Sequence, residues 1–381
     1  MNTNPTMVCL IDELTRCGMH IDIFVPKGGE FPESNRGITV FRFPQRFRLW
    51  LGDIKSTLRN WKSFLYSFSA RGYGLFANKP YDLIVGTDAN GVVAAYNQAK
   101  GTGTPFVYLS FEIFFRDELI KREDILMKEE EVIASKKAKM IIIQDPWRAD
   151  LLCRENQLVD KKIVYLPVSA RSSYSVQGSN YIRKRFNIPE WKTIVLHSGT
   201  FADWTYGEEL VANFSLWPKD MAFVIHVRRD NLQGDRYIER IKQQELDNVF
   251  LSTERLAEYE HEEMVSSADV GLLLYKTSNK SKYEGKNLEY IGLSSGKFSF
   301  YMKYGLPVVA VNSPTYDKYL ENYGFGFNVE KFESIPSAID RIRNNYDFHR
   351  CEAKRLFAEV LDFDKCWPPV LNGVKEIIRF S

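Results

Sequence analysis

Residues 291–312 read IGLSSGKFSFYMKYGLPVVAVN. Within them a Ser-Ser-Gly-Lys turn runs into a short helical pattern and then into a buried strand. Ser294, Ser295 and Gly296 bring small side chains and backbone N–H groups to a helix start, where unpaired donors and the helix dipole favour a phosphate. Lys297 adds a full positive charge at the same place. Phe298, Tyr301 and Met302 recur at helical spacing, Gly305 is placed to stop the helix, and the apolar run 306–311 predicts a strand buried on both faces. The competing reading is plainer: a serine caps a core helix and the lysine beside it points to water. The two differ in where the lysine ammonium ends up.

Outward from this unit, helical and apolar-run patterns alternate along almost the whole chain, which predicts α/β architecture with open parallel sheets covered on both faces. Upstream, the strand 193–196 leads into His197-Ser198-Gly199-Thr200. A helix over 207–214, strands over 223–227 and 249–252, a helix near 260–267 and a strand over 270–275 follow. Downstream come a helix over 314–323, a strand over 326–329, helices over 334–344 and 350–361, and a last turn at 375–379. The first half repeats the logic, with strands over 82–86, 106–110, 140–144 and 163–166 separated by helices over 91–100, 124–137 and 146–155. The polar stretch 169–178 reads as a linker between two domains, 1–170 and 171–364, with a helix over about 365–381 packing back on the first. The chain opens on a helix, 6–15, before the strand 20–25. A Rossmann-like half normally opens on a strand, so either that strand is missing or the native start lies upstream.

A length of 381 residues suits two domains at about 150 residues each. The net charge of +2 gives no global argument for a nucleic-acid partner. Five scattered cysteines lack the spacing of a disulfide framework or zinc site and read as reduced thiols. No apolar run approaches the roughly 18 to 20 residues that span a bilayer, and no signal peptide is visible, so a cytoplasmic protein is expected.

The order HSGTF, FVIHVRRDN, SSADVGLLLY, SSGK with YGLPVVA, and YGFGFNV resembles the nucleotide-sugar half of bacterial GT-B glycosyltransferases, in the manner of the large retaining group 1, or family 4, type. The likeness covers residues 193–329 well and the first half in outline. It implies two Rossmann-like domains facing across a cleft, donor in the second and acceptor in the first, a pattern against which the first strand of the N-terminal domain is either missing or upstream of Met1. It further implies a nucleoside-diphosphate sugar as donor, UDP or GDP, with no cofactor or metal required. The diphosphate contacts would be Gly199, Thr200, Ser294, Ser295, Gly296 and Lys297, with Arg228 and Arg229 at the end of a strand. His197 reads as a satisfied core histidine. Many retaining relatives carry two Glu residues eight apart before GLPVV, the second on the donor ribose. Here these positions are Gly292 and Phe300, so Asn287 and Glu289 stand as substitutes for the nucleoside contact.

In the first half, Glu112 follows the strand FVYLS between apolar neighbours and is the candidate base toward an acceptor hydroxyl, with Asp88 of GTDANG second. The alternative for Glu112 is a plain ion pair with Arg116. Residues 41–79 interleave basic and aromatic side chains, Arg46, Arg48, Trp50, Arg59, Trp61 and Lys62 among them. This is the composition of an interfacial helix on anionic lipid, which would suit a polyprenyl-linked acceptor at the inner face of the membrane. Stacking on single-stranded nucleic acid and an ordinary amphipathic surface are the other readings. Asp362-Phe363-Asp364 imitates a metal-binding DxD signature, but no strand precedes it and no metal is expected there. The expectation is a glycosyltransferase of surface-polymer assembly. Its rivals are a non-catalytic nucleotide-sugar-binding or assembly protein and a UDP-sugar 2-epimerase on the same fold.

Overall fold

A computed structural model of the chain describes residues 4–26, 37–43, 80–172, 178–227 and 235–379. Two compact units result: unit 1 is Met1–Val168 with Phe363–Ser381, and unit 2 is Ser169–Asp362. Every strand pairing among the described residues is parallel. A parallel return needs a crossover long enough for a helix, which is why the helix-and-strand alternation in the sequence could be read as this architecture.

Unit 1 contains β1 (Ile21–Pro26), β2 (Ile38–Phe43), β3 (Ile84–Thr87), β4 (Phe106–Leu109), β5 (Met140–Ile143) and β6 (Ile163–Tyr165). They form two sheets, the pair β1-β2 and the run β3-β4-β5-β6. No strand among the described residues joins β1 to β3. Tyr81 links the two sheets instead: its hydroxyl donates to Asp22 at 2.8 Å and its ring meets Phe24 edge-on at 6.5 Å. Ahead of β1 stands the helix Pro5–Arg16, capped by the Asn4 side chain, with Gly18 in the left-handed region at its end.

In the C-terminal part of unit 1, packing outweighs a strong local signal. A helix runs over Phe363–Arg379, where the sequence reading has a helix over about 365–381 with a turn at 375–379, and it includes Pro368 and Pro369. Two prolines remove two N–H donors and normally break a helix. Here burial outweighs them: Phe363, Trp367, Val370 and Val374 pack at helical spacing on Val107, Met140, Ile142 and Val164. Each fully buried apolar side chain of this size contributes roughly 1.5 to 3 kcal/mol. Gly373 permits the approach, since a Cβ there would lie 2.4 Å from the Met140 Sδ.

Unit 2 contains β7 (Thr193–Ser198), β8 (Met221–His226), β9 (Val249–Ser252), β10 (Val270–Leu273), β11 (Val308–Val311) and β12 (Gly326–Val329), in the order β12-β11-β10-β7-β8-β9. This is a complete doubly wound sheet. The order reverses between β10 and β7, and in such sheets ligands bind outside the carboxyl ends of the strands at the reversal. Helices cover both faces, with Phe298, Tyr301 and Met302 packed on one side and Phe332, Ile335 and Ile339 on the other.

Candidate functional site

The strand ends at the reversal point of unit 2 converge on Lys297. The helix Gly296–Lys303 begins there, and Ser295 caps it by accepting from the Phe298 amide at 3.0 Å. The Ser295 hydroxyl also lies 2.6 Å from that of Tyr275, just beyond β10. From β7, the turn at Gly199 takes a φ of +117°, which a side chain would strain, and a Cβ there would stand 3.6 Å from the Lys297 Cε. The helix is held to β7 by Tyr301, whose hydroxyl accepts from the Ser198 amide at 3.0 Å and donates to the Leu196 carbonyl at 3.3 Å.

Ser295 therefore does cap the helix, as the plainer reading expects, but Lys297 does not point to water. Part of its stem is exposed, whereas its Nζ is buried and has no hydrogen-bond partner among the described residues. It lies 5.7 Å from the centre of the Tyr275 ring, which is itself stacked on Trp204. Burial lowers the Lys297 pKa to about 7. A buried ammonium without a counter-charge is unfavourable and is relieved by an anion. The Gly296 and Lys297 amides, at the positions where a helix leaves its N–H groups without intrahelical acceptors, face the same end.

The other candidates of unit 2 are placed as follows. His197 is fully buried, and its Nε2 donates to the Thr200 carbonyl at 3.0 Å. Burial, then the nearby Lys297, hold it neutral, well below the usual histidine pKa. Ser294 closes the 3₁₀ turn Gly292–Ser294. Asn287 and Glu289 sit on a separate short helix, Lys286–Glu289, the first buried and the second half-buried. Phe300 stacks on His261 at 4.8 Å, and His261 Nε2 lies 3.0 Å from the Ser198 hydroxyl. Arg228 and Arg229 lie outside the described residues, as do Arg46, Arg48, Trp50, Arg59, Trp61 and Lys62.

In unit 1 the carboxyl ends of β3 and β4 bring Asp88 and Glu112 together. Asp88 opens the helix Asp88–Thr102 with a φ of +53°, an uncommon backbone for a residue with a side chain. Its carboxylate accepts from the Phe111 amide at 2.7 Å and the Glu112 amide at 3.0 Å. The close turn requires Gly86, because a Cβ there would lie 2.5 Å from the Gly91 carbonyl oxygen. Asp88 is half-buried as a residue, but its carboxyl group points inward. Burial raises its pKa to about 7, with the Glu112 charge adding and the two amides opposing. Arg116 turns to Glu129, at 3.4 Å, rather than to Glu112.

Sequence reasoning named neither Tyr275 nor His261 of unit 2, nor Arg148 of unit 1, which stands in the helix Pro146–Asn156 and donates to the Phe111 carbonyl at 2.7 Å. Tyr275 ends an apolar run and reads as a strand residue, and the other two sit on helices that look like ordinary surface helices. Among the described residues no helix is long and apolar enough to cross a membrane, and no group of three or more His, Cys, Asp or Glu could hold a metal.

The fold these units define is GT-B, with two Rossmann-like domains. Sucrose-phosphate synthase from Thermosynechococcus elongatus superposes with a TM-score of 0.72 at 16% identity, covering 98% of this chain and 93% of its own. HepE from Anabaena, in complex with UDP, gives 0.65 at 12% identity, covering 94% of this chain and 100% of its own. WaaG, a glycosyltransferase involved in lipopolysaccharide biosynthesis, gives 0.63 at 13% identity, covering 99% and 95%. No protein-family model matches the chain, and no curated protein matches it in sequence.

Proposed function

We propose that the chain is a glycosyltransferase that moves a sugar from a nucleoside diphosphate to a glycan acceptor. The observation that carries this reading is the buried Lys297 Nζ, without a hydrogen-bond partner among the described residues, beside Gly199 and the Ser295-capped helix start at the reversal point of a doubly wound sheet. Donors aimed at a leaving diphosphate in a site shielded from water stabilise the charge that develops as the glycosidic bond breaks. The lysine and the helix end supply that countercharge themselves, which supports a reaction without a metal. Ser294, Thr200, Arg228 and Arg229 complete the proposed phosphate contacts, and Asn287 and Glu289 those to the nucleoside. Glu112, paired with Asp88, orients or deprotonates the acceptor hydroxyl.

The HepE complex with UDP supports UDP as the first nucleotide to test, followed by GDP. WaaG's part in lipopolysaccharide biosynthesis and the basic aromatic composition of 41–79 support a polyprenyl-linked or surface-polymer acceptor at the inner membrane face. Calorimetric titration of wild type and Lys297→Ala with UDP, GDP, ADP and dTDP tests the donor site. The expected result is saturable binding of one nucleotide, weakened about tenfold, or about 1.4 kcal/mol, in the variant. No binding of any of the four by folded protein would overturn the reading. Phe300, stacked on His261 where the resemblance implies a carboxylate, favours one second reading: nucleotide-sugar binding without turnover. Binding with no transfer and no donor hydrolysis would mark it.

A further inference from the structure

Behind the Asp88 and Glu112 pair, unit 1 buries an arginine that takes no part in the chemistry proposed so far. Arg148 stands in the first turn of the helix Pro146–Asn156, whose cap, Asp145, accepts from the Arg148 amide at 2.8 Å. The arginine is only 1% exposed. A guanidinium out of water is costly unless its donors find acceptors and its charge finds counter-charges. Its Nε donates to the Gln144 side-chain oxygen at 2.9 Å and its Nη2 to the Phe111 carbonyl at 2.7 Å. Gln144 in turn donates to the Ser110 carbonyl at 2.6 Å. The main chain at Ser110, Phe111 and Glu112 is thus held from one side by Gln144 and Arg148 and from the other by Asp88.

The acidic groups facing Arg148 are Glu112, Asp145 and Asp88, with the Tyr108 hydroxyl beside them. Asp88 is also faced by Glu131, whose charge is offset by buried Lys128 at 3.2 Å and which accepts from Tyr108 at 2.8 Å and Asn156 at 3.0 Å. A leucine or methionine would fill the volume of Arg148 without the desolvation cost, and such replacements of buried charge are often neutral or stabilising. An arginine adds two things to that volume: a forked clamp on the loop, and a positive charge next to two carboxylates that would otherwise repel.

We infer that Arg148 is a positioning residue for unit 1, clamping the Glu112 loop and supplying the charge that lets Asp88 and Glu112 stand side by side. This rests on the reading of those two carboxylates as the acceptor-side pair. Its test is the titration of the Asp88 carboxyl carbon by NMR in the full-length wild type, Arg148→Lys and Arg148→Met. The expected midpoint is near 7 in the wild type, about one pH unit higher in Arg148→Met, and close to wild type in Arg148→Lys, which restores the charge. Equal midpoints in wild type and folded Arg148→Met would overturn the inference.

Should Arg148→Met fail to fold, hydrogen exchange in Arg148→Lys decides. Lysine keeps the charge but offers its donors from one nitrogen and not from the fixed fork that reaches Gln144 and Phe111, so the Phe111 and Glu112 amides should exchange about tenfold faster. Unchanged exchange would sink the clamp. Hydrolysis of UDP-glucose by Glu112→Gln separates this from the underlying reading. Full retention of an activity seen in the wild type would remove Glu112 from the chemistry while leaving the Arg148 titration to stand on its own.

Discussion

The carboxyl ends of the strands carry opposite charge in the two units. In unit 2 they surround a buried lysine with no counter-charge among the described residues, whereas in unit 1 they present Asp88 and Glu112 over an arginine whose donors are turned inward. The sheets differ as well: that of unit 2 is continuous across its reversal point, and among the described residues that of unit 1 has no strand joining β1-β2 to β3. One architecture used twice carries two charge settings, fixed by the residues just past its strands. A cation beside a helix start suits a diphosphate, and a carboxylate pair suits a hydroxyl that must lose a proton.

The largest effect that could break this contrast is at Glu112. Glu112→Gln should lower sugar transfer about 100-fold or more while leaving nucleotide affinity unchanged, as measured by turnover and calorimetry on the same preparation. Unchanged turnover would leave unit 1 with no chemical part.

Next in size is the pH dependence of nucleotide binding. Free Lys297 has a pKa lowered to about 7, and a bound diphosphate raises it, so binding takes up a proton above that pH. Affinity should be level below pH 7 and fall toward about tenfold per unit above it, with the slope absent in Lys297→Met. The sign for the ligand-free protein is opposite. Between about 7 and the ordinary lysine value of 10.5 the unfolded chain binds the extra proton, so the Lys297 contribution to stability rises with pH. A flat binding profile would mean that the ammonium does not meet the nucleotide.

The smallest effect sharpens the contrast by touching unit 2 alone. A Cβ at Gly271 would lie 2.6 Å from the Tyr301 ring. Gly271→Ala must therefore displace the ring that ties the helix Gly296–Lys303 to β7, at a cost of about 1 to 3 kcal/mol. Denaturant unfolding should show it, and nucleotide affinity should weaken in parallel. An unaltered midpoint would show that the Tyr301 tie is not needed.

Much of unit 2 was legible because its signals are local. Apolar runs such as VVAV, short, rich in β-branched valine and flanked by Pro307 and Asn312, read as doubly covered strands, and the Phe298, Tyr301 and Met302 spacing identified a core-facing helix, with all three buried. The fate of Lys297 was not legible, because a lysine after a capping serine looks the same whether it is solvated or enclosed. Only the approach of Gly199 and Tyr275, distant in sequence, decides it. Arg148 was hidden for the same reason, since PWRADLLCREN reads as an ordinary surface helix until the loop after β4 folds over it. Pro368 and Pro369 are a strong local signal against a helix, and it loses to the packing of Phe363, Trp367 and Val370.

Unit 1 is built from two stretches of chain, with all of unit 2 between them. On the ribosome, β4, β5 and β6 are made early, but the helix Phe363–Arg379 that covers Val107, Met140 and Val164 is made only after the whole of residues 169–362. Unit 2 is contiguous and can close while unit 1 still shows an apolar face to the chaperones around it. The half of the molecule that is started first is therefore the half that is finished last.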